Sequence, residues 1–102
     1  MKEIIIGTTP TITYKFKIVS VADIVTAILT IKQSTGIIVQ KTLTDAEVGE
    51  DTLSWILSQQ ETFSIGQKSA TMMINWKTAG GIRGASEITK IIGTTNHVME
   101  VI

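Results

Sequence analysis

Thr11-Ile12-Thr13-Tyr14-Lys15-Phe16-Lys17-Ile18 alternates without interruption. In an extended chain successive side chains point to opposite faces, so Ile12, Tyr14, Phe16 and Ile18 share one side and Thr11, Thr13, Lys15 and Lys17 the other. One face belongs to a core and the other to water. The same alternation continues outward from this stretch. The chain is rich in Ile, Thr and Val, whose β-branched side chains suit a pleated surface and lose rotamer freedom in a helix. Residues 25–32 set Val25, Ala27, Leu29 and Ile31 against Thr26, Ile28, Thr30 and Lys32. Gln33-Ser34-Thr35-Gly36 then supplies a turn with a glycine free to take positive φ, and residues 37–43 form the second arm of a hairpin.

Between residues 44 and 51 the apolar pattern lapses into Asp45, Glu47, Gly49, Glu50 and Asp51, read as an acidic loop. Leu53, Trp55 and Leu57 then alternate with Thr52, Ser54 and Ile56 as a short strand. The rival, a helix over residues 45–60, puts Gly49 in its interior and fits a helical stripe poorly. Ser58-Gln59-Gln60-Glu61 matches a capping box and predicts one helical turn. From Gly66 runs the longest strand candidate, with Lys68, Ala70, Met72, Ile74 and Trp76 on one face and Ser69, Thr71, Met73, Asn75 and Lys77 on the other. Thr78-Ala79-Gly80-Gly81 predicts a hairpin turn, residues 82–92 one bent or two short strands with Gly84 as bulge or kink, and residues 97–102 a last strand after Gly93-Thr94-Thr95-Asn96.

Seven to eight short strands, with no crossover helix between them, predict one all-β domain over residues 1–102, an antiparallel β-sandwich. Bulk properties agree. A chain of 102 residues with 43% hydrophobic and 18% charged residues is a one-domain length with a modest core. Nine basic and nine acidic residues cancel, which argues against nucleic acid as a partner and leaves association unopposed by net charge. Without cysteine there is neither a disulfide nor a thiolate metal site. The opening apolar triplet Ile4-Ile5-Ile6 is too short for an export signal or a membrane span.

The residues offer little chemistry. His97 is the sole imidazole and has no neighbouring nucleophile in sequence, so it reads as a half-exposed strand-end residue; a small hydrolase would need a hydroxyl or carboxylate beside it in space. Asp45, Glu47, Glu50 and Asp51 lack the spacing of a calcium loop. Gly80-Gly81-Ile82-Arg83-Gly84 lacks the Lys-Ser/Thr ending of a phosphate-binding loop and reads as turn plus bulge. Tyr14, Phe16, Trp55 and Trp76 fall on apolar faces and are assigned to the core. We expect no catalytic residue, cofactor, metal or small-molecule substrate. The notable feature lies at the ends. Residues 2–6 and 97–102 are apolar on both faces with few charged gatekeepers, so these strands are either internal to a sheet or paired with another chain. Ile4, Ile5, Ile6, Met99 and Val101, together with Met73 on an otherwise polar face, are the candidate assembly residues.

Gly7-Thr8-Thr9-Pro10-Thr11-Ile12-Thr13-Tyr14-Lys15-Phe16, Ala27-Ile28-Leu29-Thr30-Ile31-Lys32-Gln33, Leu57-Ser58-Gln59-Gln60-Glu61-Thr62 and Met73-Ile74-Asn75-Trp76-Lys77-Thr78-Ala79-Gly80-Gly81-Ile82-Arg83 resemble small structural proteins of tailed bacteriophages of Gram-positive gut bacteria. The nearest named group is the N-terminal domain of phage baseplate upper proteins, a β-sandwich that docks a receptor-binding apparatus to the tail. The helical or receptor-binding extension expected to follow in that group has no counterpart before Ile102. The resemblance implies an immunoglobulin-like or baseplate-like sandwich, made in the bacterial cytoplasm and built non-enzymatically into the virion. Its expected partners are further copies of itself and capsid, tail or baseplate proteins, with neither nucleic acid nor membrane among them. The alternative is an adhesion module binding carbohydrate or protein through a polar face around Lys15, Lys17 and Met73.

Overall fold

The computed structural model describes residues 2–97. It is an all-β, sandwich-like fold. Its nine described strands are β1 (Lys2–Ile5), β2 (Thr11–Lys15), β3 (Ile24–Gln33), β4 (Gly36–Thr42), β5 (Glu47–Val48), β6 (Thr52–Ile56), β7 (Ser69–Thr78), β8 (Arg83–Ala85) and β9 (Thr89–Thr94). The count exceeds the expected seven to eight because the acidic loop contributes the two-residue β5 and residues 82–92 divide into β8 and β9. One helix, α1 (Gln59–Ile65), interrupts them.

The strands form a six-stranded sheet in the order β1-β9-β7-β3-β4 and a three-stranded sheet in the order β2-β6-β5. The ten-residue strands β3 and β7 are the antiparallel centre of the larger sheet. One side of β7 is shared, with Ser69–Met72 bonded to β9 and Asn75–Lys77 to β8. All pairs are antiparallel except β1 with β9, which run parallel with Lys2 opposite Ile91 and Ile5 opposite Thr94. A parallel pair needs a long connection, and here almost the whole domain lies between the two strands.

The layers meet over an apolar core. Leu29 and Ile31 from β3, Ala70, Met72 and Ile74 from β7, Val39, Ile91 and Ile4 come from the larger sheet. Ile12, Leu53 and Trp55 come from the smaller one, and Leu57 and Phe16 just beyond its strands. Ile65 joins them from α1. Trp55 has its indole N–H donated to the carbonyl of Thr42 at 2.9 Å, so the largest core side chain is buried without an orphan donor.

Two expected core positions are corrected. Ile18 is 97% exposed, because β2 ends at Lys15 and only Phe16 still turns inward. Val25 is exposed because the β3–β7 register shifts between Ile24 and Thr26, so the inward set is Ile24, Ala27, Leu29 and Ile31. That extra residue reverses the alternation on one side of it. A second shift between Ile31 and Lys32 places Ile37 opposite Lys32 and turns it outward.

The capping box forms and starts a helix longer than one turn. Ser58 Oγ accepts from the Glu61 N–H at 3.1 Å, and the Ser58 N–H donates to Glu61 Oε1 at 2.7 Å. Gly66, at φ 63°, ends the helix. Thr62 then ties α1 to the β1–β2 connection. Its hydroxyl accepts from the Gly7 N–H at 2.9 Å and lies 3.0 Å from the carbonyls of both Thr8 and Gln59. The expected turn at Gly93 is instead part of β9, crossing the helix terminus so closely that a Cβ on Gly93 would lie 1.6 Å from the Gly66 carbonyl oxygen. Thr62→Val keeps the shape of the side chain but strands the partly buried Gly7 N–H; we expect a loss of about 1–3 kcal/mol in urea unfolding, and an unchanged midpoint would mean that this hydroxyl does not anchor the helix.

Candidate interaction surface

The outward side of the larger sheet is set by register. Lys90, Thr71 and Lys32 are paired across β9, β7 and β3. One step along β7 on the same face is Met73 opposite Thr30, then Asn75 between Ala85 and Ile28, then Lys77 between Arg83 and Thr26. With strands about 4.8 Å apart and alternate residues about 6.7 Å apart, Lys90 and Lys32 stand roughly 10 Å from each other and the Lys77 row roughly 20 Å away. Thr30, Lys32, Thr71, Met73, Asn75 and Ile88 line a shallow groove of about 180 Å³ between these rows, and Ile88 is largely exposed beside it. Among the described residues the ion pairs are Lys15 with Asp51 at 3.5 Å and Lys41 with Glu61 at 3.0 Å. The sheet face therefore carries Lys32, Lys77, Arg83 and Lys90 without a carboxylate partner among those residues.

Glu3, opposite Ile92 and through it in line with Ser69, shares this outward face, whereas the acidic residues of the 45–51 segment lie elsewhere. Asp45 follows β4, Glu47 begins β5 at the edge of the smaller sheet, and Glu50 and Asp51 precede β6. Asp45 accepts from the Thr42 N–H at 2.9 Å, a local structural use. Glu47 and Glu50 are exposed, and between them Val48 is 63% exposed. Among the described residues no group of three or more His, Cys, Asp or Glu side chains is placed to hold a metal ion.

The candidate assembly residues fall in different environments. Ile4 and Ile6 point into the protein interior, at 2% and 1% exposure, whereas Ile5 faces outward at the sheet edge. Met73 is half-buried in the groove. Met99 and Val101, with most of the expected strand over residues 97–102, lie outside the described residues. Lys15 is on β2 of the smaller sheet and Met73 on β7 of the larger, so the structure does not join them on one sheet face. His97 is exposed at a bend. Sequence reasoning missed the edge strand β4, which among the described residues makes its backbone pairing with β3 alone. The run Gly36-Ile37-Ile38-Val39-Gln40 held that signal, being apolar and uncharged.

The aromatic residues offer no stacking platform. Trp55 is fully buried, and Tyr14, Phe16 and Trp76 pack on each other with ring centroids 4.9, 5.0 and 5.5 Å apart. The role expected of Gly84 as a bulge is replaced by a close approach. Gly84 sits in β8 opposite Trp76, and a Cβ there would lie 2.4 Å from Cζ2 of the indole. Among the described residues no helix is long and apolar enough to cross a membrane. No protein-family model, curated protein or solved structure matches the chain. Gly84→Ala is expected to displace the Trp76 ring and cost about 1–3 kcal/mol, read as a lower unfolding midpoint and altered tryptophan fluorescence; a variant matching the parent in both would show that the ring yields freely.

Proposed function

We propose that this domain is a non-enzymatic structural protein of a phage particle, assembling with copies of itself or with capsid, tail or baseplate proteins. The observation that carries the reading is the edge of β4, which is unpaired on its outer side among the described residues. A strand at the end of a sheet presents unpaired N–H and C=O groups, and monomeric proteins blunt such edges with charge, proline or a bulge that bends the strand away. β4 has no proline, and its single charge, Lys41, is spent on Glu61 of α1 at 3.0 Å. Its register shift leaves Ile37 59% exposed rather than shielding it. Such an edge supports strand addition, in which main-chain hydrogen bonds supply affinity and alternate side chains supply specificity. β1 offers a second edge, with Ile5 exposed on it.

An adhesion role is the second reading, favoured by the groove beneath Met73 and Ile88. With Phe16 and Trp55 buried and the half-buried Tyr14 and Trp76 packed against each other, it fits a protein ligand better than a sugar. Two measurements test the first reading. Light scattering across a concentration series should show association, and Ile37→Lys should weaken it by roughly tenfold, equivalent to about 1.4 kcal/mol. Mass spectrometry of purified particles should find the chain. A strictly monomeric protein absent from particles would overturn the proposal.

A further inference from the structure

We infer that the strand received at the β4 edge is a free extended segment of another chain, apolar at alternate positions and ending in Lys or Arg beside Asp45, which closes over Val48. The inference rests on the assembly reading above and names the chemistry of its partner. Register sets Val48 opposite Leu53, whose side chain is fully buried, so Val48 takes the core-facing side of β5. It is nevertheless 63% exposed. The other large apolar residues exposed within the described strands are placed differently. Ile5 and Ile56 are opposite Thr94 and Thr11 on outward faces, and Val25 and Ile37 border register shifts. Val48 alone among them is turned toward the core and left without cover. It stands on the flank that β4 borders. Only Leu43 to Ala46 join the end of β4 to the start of β5, about the length needed to cross the roughly 10 Å between packed sheets. Leu43, Ala46 and Ile38 pack against the core on this flank but are only partly buried. A strand continuing the larger sheet beyond β4 turns every second side chain toward the smaller sheet, over these residues.

Hydrogen bonding gives the open stretch an end. Thr42 donates its N–H to Asp45 at 2.9 Å and its carbonyl accepts the Trp55 indole N–H, so the edge that remains runs from Gly36 to Lys41. Gln40, two residues before Thr42, directs its N–H to the same side, away from β3. The Asp45 carboxylate stands at the closed end, exposed and without an ion-pair partner among the described residues, and selects a cation at the end of the incoming strand. A second copy is a poor occupant. Its β4 has Val39 in its own core and Lys41 held by Glu61, and its β1 has Ile4 in that core, so these side chains are not free to cover Val48. Two-fold pairing of the β4 edges also sets the flank bearing Asp45, Glu47 and Glu50 against its own image, and such like-charge contacts oppose docking. A segment not yet folded into a domain has its apolar side chains free, and main-chain bonds to residues 36–41 order it.

The probe is a labelled peptide of about nine residues, Val and Thr alternating between terminal lysines, long enough to span residues 36–41 in either direction. One control peptide carries proline at its centre and another carries glutamate in place of the lysines. Fluorescence anisotropy with the full chain should show saturable binding of the lysine peptide and about tenfold weaker binding of both controls. Val48→Ser, a surface change whose fold is checked by its melting midpoint, should bind the lysine peptide about fivefold more weakly. Asp45→Asn, which keeps an acceptor for the Thr42 N–H, should narrow the gap between the lysine and glutamate peptides. Amide hydrogen exchange should slow at Gln40 on binding and stay unchanged in β1. A folded parent that does not bind the lysine peptide overturns the inference. Equal binding of either control, equal binding by Val48→Ser, an unchanged gap in Asp45→Asn, or protection confined to β1 does so too. A parent that self-associates, loses association on Ile37→Lys and ignores the peptide overturns it while the assembly reading stands, with a second copy as the occupant. A parent that binds the peptide as expected but is absent from purified particles upholds the docking chemistry and removes the virion as the source of the strand.

Discussion

The structure depends on the burial of alternate residues of β6 and its continuation against the larger sheet. Leu53, Trp55 and Leu57 are all fully enclosed, and each such side chain contributes about 1.5–3 kcal/mol relative to exposure. The three-stranded sheet is too small to hold itself together, since hairpins and short sheets become stable only when a hydrophobic face is covered. β2 and β5 are hydrogen-bonded to β6, and so both are placed by what β6 buries. The one polar atom in that set, the Trp55 indole N–H, reaches the carbonyl of Thr42 at the end of β4 and thereby ties the layers together. From that tie the chain turns directly into the acidic segment, whose position at the edge of the smaller sheet follows from it.

Much of this was legible locally. The alternations of residues 11–16, 52–57 and 69–76 each name their buried face, because one face is apolar and the other polar. The hairpin at Gln33–Gly36 and the capping box at Ser58–Glu61 are short-range chemistry and form as read. What was not legible depends on partners distant in sequence. The shift beside Val25 exists only in the pairing of β3 with β7, and both faces of that segment are apolar enough to accept either register. The parallel contact of β1 with β9 joins the two ends of the described chain, and no periodicity within either strand encodes its direction. Gly84 and Gly93 are small because Trp76 and the Gly66 carbonyl come near them, a demand made by other parts of the fold.

The interaction surface divides in the same way. Ile4-Ile5-Ile6 signalled a strand that could not be wholly solvated, but only the structure separates the buried Ile4 and Ile6 from Ile5. The basic face was hidden for a plainer reason. Lys32, Lys77, Arg83 and Lys90 are scattered over nearly sixty residues of sequence and meet only because β3, β7, β8 and β9 are neighbours. A formal net charge of zero averages this face with the acids of the other layer and so conceals both. Charge counted over a whole chain bears on solubility and long-range steering, whereas the field at a sheet face is set by register.

Glu61 connects the helix to the open edge. Its carboxylate accepts from the Ser58 N–H and so starts α1, and it also pairs with Lys41, the one charge on β4. With side chains only 19% and 25% exposed, the pair is held close to the protein body, and a lysine so held cannot act as a solvated guard along the strand. The same residue that stabilises the helix therefore removes the edge's protection. Because α1 is in turn held by Thr62 to the β1–β2 connection, the exposure of β4 is built into the packing of the domain. An edge left bare by loose structure could be closed by a small rearrangement. Moving Lys41 back into solvent along this edge means breaking its pair with Glu61, whose carboxylate also closes the capping box of α1.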